Sequence, residues 1–297
     1  MKRFQEGMLG CFLTGGWRMV TGVFFHEEFK GKDWPVIGDK FARFPEVLGD
    51  LLHNPNVVLI EPKEVSEEIL LKVHSRELVE NLKRSWYRKG AMLSVGGCIK
   101  AAEKIRTGEL ENALVFDVAA GHHAGPSSAW GGTYVSCTGP VVAYMRETYG
   151  RERYAIIDTD SHHGDGTRSI FMGDRDVLHV CFCSMDTVED EGTKVDVNVG
   201  WKVADEEYLR LVEEEFIPRV RKFRPVMIIH LFGHDTCQGD YGDRGLTEEV
   251  YPKLARIVLE CAEEVCEGRY LVITHGGSRR DVAERIFPEI VRVMAKL

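Results

Sequence analysis

The chain has no excess of positive charge. Forty-seven acidic residues outnumber 38 basic ones over 297 residues, a net charge of −9. A nucleic-acid binder normally presents a basic face, so that class is excluded. Long hydrophobic runs are also missing: none approaches the roughly 20 residues needed to span a bilayer, so no membrane segment is read. The eight cysteines form no C-x-x-C pair. Several lie in apolar runs, which suits buried reduced thiols better than a zinc ribbon or a disulfide framework. Low-complexity segments, repeats and proline-rich linkers are absent, and one domain over residues 1–297 is expected. Met1-Lys2-Arg3 and the apolar stretch 8–13 faintly echo a signal peptide, but Glu6 and the glycines interrupt it. That stretch is read as a first buried strand, with a cytoplasmic location as the default.

What is present is alternation. Short β-rich runs at 57–60, 113–118, 154–158, 177–182, 226–231 and 270–274 are separated by stretches with helical patterning. Several runs are apolar nearly throughout, as strands covered on both faces must be. Helices are predicted over 66–83, with Ser66 as N-cap, over 205–222, and over 247–267, closed by Gly268. The spacing predicts an α/β fold: three layers, with a mainly parallel central sheet and helices on both faces.

Polar clusters follow four of these runs. They are His122-His123, then Asp158, Asp160 and His162, then Asp235, and finally His275-Gly276-Gly277-Ser278. All fall at carboxyl ends of predicted strands, the edge where open α/β sheets build their sites. Asp160 and His162 are two apart, so in extended chain they point the same way and can share an ion. Asp235 would add a third ligand, leaving an open position as in catalytic zinc sites. The oxygen-rich set also admits Fe(II), Mn(II) or Co(II). Asp158 and Asp165 are read as carboxylates that orient His122 and His123. Of the other histidines, His26, His53 and His74 are read as structural or exposed, and His179 and His230 as satisfied core residues. His163 is placed behind the metal loop, while His234 and His275 lie near the site.

These residues resemble the histone deacetylase superfamily, which includes acetylpolyamine amidohydrolases and shares its fold with arginase. The matching blocks run in order from Leu71-Lys-Val-His74-Ser75 to Val282-Ala283. Between them lie Gly121–Ala124, Gly131–Tyr134, Asp158–Gly166, Phe171, Val195–Val199, Gly233–Thr236, Gly239-Asp240 and Gly276-Gly277. The resemblance implies Zn²⁺ on Asp160, His162 and Asp235, and a monovalent cation (K⁺ or Na⁺) near Asp158, Asp160 and His162. It further implies His122 paired with Asp158, and His123, paired with Asp165, as the principal acid/base in amide hydrolysis by metal-activated water.

Three departures accompany it. Ser278 stands where the family presents a Tyr to the oxyanion; His275, His234 and Tyr241 are the nearby replacements. Gly132 follows Gly131 where acetyl-lysine-selective members carry an aromatic, and residues 185–191 are acidic where a second aromatic wall would stand. The stretch 40–46 keeps only part of the family's N-terminal His-Pro-x-x-Pro-x-Arg pattern. Gly131, Gly132, His275, Gly277 and Ser278 are therefore the candidate substrate and oxyanion positions. The leading expectation is an amidohydrolase acting on a small acylated amine, probed as a cationic one because of the acidic 185–191 stretch. A catalytically weakened binding protein that keeps the metal, and an arginase-like binuclear hydrolase, are the other readings. Oligomeric state is left open.

Overall fold

The apolar runs pair side by side in one sheet. In the computed structural model the described residues are 20–297, so the strand expected at 8–13 lies outside them. Nine strands are present among the described residues: β1 (Thr21–Phe24), β2 (Val57–Ile60), β3 (Asn112–Val115), β4 (Tyr154–Asp158), β5 (Val177–Cys183), β6 (Thr187–Glu189), β7 (Lys194–Asn198), β8 (Met227–Phe232) and β9 (Tyr270–Thr274). Their order across the sheet is β2-β1-β3-β9-β8-β4-β5-β7-β6. Every pairing is parallel except β6 with β7, a short antiparallel edge. Strands β3, β4, β5, β8 and β9 are buried along their whole length, whereas edge strand β2 is not. That difference matches a sheet covered on both faces everywhere but at its rims.

The helices are α1 (Glu67–Leu70), α2 (Arg76–Lys83), α3 (Arg88–Arg106), α4 (Thr138–Tyr149), α5 (Asp165–Phe171), α6 (Asp205–Glu215), α7 (Ile217–Phe223), α8 (Val250–Cys266) and α9 (Arg280–Met294). One layer is built around α3 and α4, which pack on each other; the other is built around α8 and α9. Together with the sheet they form the expected three layers.

Two predicted helices are broken. The 66–83 helix stops at Leu70 and restarts at Arg76, because Ser75 caps α2 by accepting the Leu78 N–H. The 205–222 helix divides at Phe216, where Pro218 opens α7. The third ends one residue early, at Cys266, and both Glu267 and Gly268 take positive φ beyond it. No helix among the described residues is long and apolar enough to cross a membrane.

Candidate active site

Strands β3, β9, β8 and β4 are consecutive neighbours, so the loops leaving their carboxyl ends converge. Asp160 and His162 follow β4, and Asp235 follows β8. His162 Nδ1 lies 3.0 Å from Asp160 Oδ1 and 3.0 Å from Asp235 Oδ2. One donor atom from each residue falls within 4.8 Å of the others. Both carboxylates are buried, and burial together with the facing Asp160 carboxylate pushes Asp235 up to about 7. Two such carboxylates confronting each other call for a cation between them. Glycines keep the space open: a Cβ on Gly276 would fall 2.1 Å from Asp160 Oδ2, and one on Gly242 would fall 2.4 Å from Asp235 Oδ2. Two carboxylates and an imidazole in this cradle fit a divalent ion such as Zn²⁺ or Fe²⁺.

The two imidazoles after β3 stand beside the cradle, each backed by a carboxylate. His122 Nδ1 meets Asp158 Oδ2 at 2.8 Å, and its Nε2 is 3.7 Å from Asp160 Oδ1. His123 Nδ1 meets Asp165 Oδ1 at 2.7 Å. Trp130 fixes that second pair. Its Nε1–H donates to Asp165 Oδ2 at 2.9 Å, and its ring lies 3.7 Å from the His123 ring. The environments push the two histidines apart. Burial lowers His122, but the Asp158 and Asp160 carboxylates outweigh it and raise the group to about 9. Burial and the neighbouring His122 charge lower His123 to about 4. A neighbouring pair divided in this way can hold a proton on one ring and accept one on the other.

A cavity of about 220 Å³ opens over these groups. His122, His123, Asp160 and His162 line it with Gly131, Gly132, Trp130, Tyr241 and His275. A Cβ at Gly131 would strike the His123 ring at 2.6 Å, and one at Gly132 would strike the Pro35 carbonyl oxygen at 2.7 Å; both glycines also have positive φ. The two positions that lack the family's aromatics are not replaced in kind, but Trp130 and Tyr241 supply aromatic walls from neighbouring positions. Ser278 is corrected as an oxyanion position. It does not line the cavity, since its hydroxyl donates to Asp240 Oδ1 at 2.8 Å. Asp240 also accepts the Ser278 and Arg279 N–H groups, which stitches the two loops together. Gly277 contributes its N–H to the Tyr241 hydroxyl at 2.8 Å.

Tyr241 therefore occupies the wall from which Ser278 is turned away. Its ring stacks on His162 at 5.7 Å, and its hydroxyl would lie 2.9 Å from a Cβ on Gly276. The residue as a whole is 45% exposed, but desolvation around its hydroxyl, followed by the Asp235 and Asp160 charges, raises its pKa, so the phenol keeps its proton. His275 also faces the cavity, but its Nε2 accepts the His122 N–H at 3.2 Å. His234 is fully buried and outside the lining. Lys40, from the atypical N-terminal stretch, is buried behind the floor. Its ammonium donates to the carbonyls of His275 and, at 3.3 Å, Gly276.

Residues 39–294 match the Histone deacetylase domain. The chain belongs to the histone deacetylase domain family. A probable deacetylase of Archaeoglobus fulgidus is 31% identical over 87% of this chain and 81% of its own length. A histone deacetylase-like amidohydrolase of Pseudomonas aeruginosa is 28% identical over 71% of this chain and 64% of its own. The crystal structure of the HDA15 HD domain superposes with a TM-score of 0.81 at 23% identity, covering 94% of this chain and 89% of that one.

Within this family member, the remaining histidines take unequal places. His74 is buried and anchors the 121–128 loop: its Nδ1 meets Gly125 O at 2.8 Å, and its Nε2 accepts the Ser136 N–H at 2.9 Å. His230 is satisfied by Thr159 at 2.9 Å and Tyr270 at 2.6 Å. His179, expected to be satisfied in the core, has neither ring nitrogen hydrogen-bonded; its Nε2 stands 3.8 Å from Asp158 Oδ2. The acidic 185–191 stretch does not line the cavity, and three of its four carboxylates are paired: Arg168 on Glu189, Lys194 on Asp190 and Arg175 on Glu191. It gives no support to a cationic substrate.

His74 makes an acid-sensitivity prediction. Its Nε2 must stay unprotonated to accept an N–H, and burial lowers the group to about 4. Because the folded value lies below the unfolded value near 6.5, the stabilisation is complete above that pH. It is lost as pH falls from about 6.5 through about 4. Urea midpoints measured across this window should fall, with His74 contributing on the order of 3 kcal/mol at most. A His74→Gln variant should show a shallower dependence.

Proposed function

We propose that the chain is a divalent-metal-dependent amidohydrolase that removes a short acyl group from a small acylated amine. The supporting observation is the pairing of two carboxylate-backed imidazoles with a three-ligand cradle at the floor of one cavity. A divalent cation held by Asp160, His162 and Asp235 supplies Lewis acidity, polarising a carbonyl and making water more acidic. His123, held by Asp165 and Trp130, takes the proton of the attacking water and returns it to the leaving nitrogen. His122, backed by Asp158, keeps its proton beside the acyl oxygen. Tyr241 donates a hydrogen bond from its hydroxyl to the developing oxyanion, since its bond to Gly277 uses only an oxygen lone pair. The modest cavity volume favours short acyl chains.

Release of free amine from acetylated polyamines and N-acetyl-lysine by the zinc-loaded chain, abolished by chelation, tests this reading. No metal-dependent turnover on any acyl amide would sink it. The weakened-binder reading leaned on Ser278. With Ser278 tied to Asp240, a Ser278→Ala variant is expected to keep kcat unchanged while losing about 1 kcal/mol of stability, read by denaturant titration.

A further inference from the structure

His162 and His163 are adjacent, and successive side chains of extended chain point to opposite sides. His162 faces the cradle; His163 faces a second group of donors behind it. His163 Nδ1 lies 3.1 Å from Asp196 Oδ1 and 3.9 Å from Cys183 Sγ. Cys181, two residues along β5 and on the same strand face, completes the group. One donor atom from each of His163, Cys181, Cys183 and Asp196 lies within 4.8 Å of all the others. The sheet itself builds this arrangement, since Cys181 and Asp196 are register partners of β5 and β7.

From this geometry we propose that His163, Cys181, Cys183 and Asp196 form a second, thiolate-bearing metal site suited to Zn²⁺. The spacing is close to what the ion needs: with Zn–N of ~2.0 Å and Zn–S of ~2.3 Å, the edges of a tetrahedral centre are roughly 3.3–3.8 Å. Two thiolates and an imidazole are the donors that borderline-soft ions prefer, in contrast to the oxygen-rich cradle. Charge balances as well. Two thiolates and one carboxylate against Zn²⁺ leave a single negative charge, and Arg168 Nη2 already sits 2.6 Å from Asp196 Oδ1 to meet it. Arg168 and Thr187 both hold Asp196, as groups behind a ligating carboxylate do. A direct disulfide is a poor alternative use of the thiols. Residues two apart on a strand have Cα atoms about 6.6 Å apart, near the outer limit for an S–S bridge. His163 is 22% exposed, which leaves a route in from solvent. Metal loss at this site would free His163 and, through the shared backbone, loosen His162.

The test uses the full chain, stripped with chelator and reloaded with Zn²⁺ or Co²⁺. The expected result is two zinc ions per chain, sulfur neighbours in zinc-edge X-ray absorption, and a sulfur-to-cobalt charge-transfer band in the near ultraviolet. Asp235→Ala should lose one ion and keep the sulfur signal; Cys181→Ser/Cys183→Ser should lose the sulfur-bound ion and keep the other. The wild-type cobalt spectrum decides the matter even if the double variant fails to fold, because a band-free spectrum overturns the site. A second ion without sulfur neighbours would be a binuclear cradle and would also overturn it. Failure of the amidohydrolase reading would leave the sulfur signal unchanged, so the two proposals fail separately.

Discussion

Replacing His123 with alanine is expected to lower kcat for acyl-amide hydrolysis about 10²–10⁴-fold while changing KM little. The size follows from position. His123 lines the cavity, its second nitrogen is fixed by Asp165 at 2.7 Å, and Trp130 covers its ring at 3.7 Å. Such a ring is held in one tautomer and orientation before substrate arrives, which is what efficient proton transfer requires. Steady-state kinetics on an acetylated amine, with bound metal measured alongside, checks it. An unchanged metal content with collapsed kcat would place the loss in proton transfer. A kcat within a few-fold of wild type would remove His123 from the reaction.

Tyr241→Phe should cost about 10²–10³ in kcat, the usual penalty for deleting one oxyanion donor. The variant removes a single oxygen and keeps the ring that stacks on His162 at 5.7 Å, so metal affinity should be preserved. Two hydroxyls near the cradle have different partners. Ser278 spends its proton on Asp240, while the Tyr241 hydroxyl accepts from Gly277 and retains its own proton beside the cradle. If Tyr241→Phe were silent and Ser278→Ala inactive, the assignment would be reversed. Desolvation around the Tyr241 hydroxyl and the nearby carboxylates raise its pKa, so the phenol should remain a donor throughout the working pH range.

The strands carrying the site were the most legible part of the sequence. Runs 154–158 and 270–274 coincide with β4 and β9. Central strands of a parallel sheet are apolar on both faces, and that signal needs no tertiary context. Placing Asp160, His162 and Asp235 at one edge followed from strand ends alone. Less visible was α3, whose Gly90, Gly96 and Gly97 depress helix propensity. They are explained only by packing: a Cβ on Gly96 would meet Lys63 O at 1.8 Å. β1 is four residues with a glycine inside, too short to show alternation. Trp130 was hidden, and Tyr241 was visible only as one of three candidate oxyanion donors, for a different reason. Each adjoins a family block, Gly239-Asp240 and Gly131–Tyr134 respectively, without belonging to it. Which way each points depends on a loop pinned from elsewhere, by Asp240 in one case and Asp165 in the other.

The strand order has a consequence for biosynthesis. β9 is the last strand in chain order among the described residues, yet it lies between β3 and β8 in the middle of the sheet. Without residues 270–274 no strand pairs β3, which precedes His122 and His123, with β8, which precedes Asp235. A nascent or prematurely terminated chain therefore holds two half-sheets with exposed inner edges. Sheet closure and completion of the active-site edge are therefore coupled, and a product lacking β9 is expected to expose two unpaired strand edges prone to aggregation.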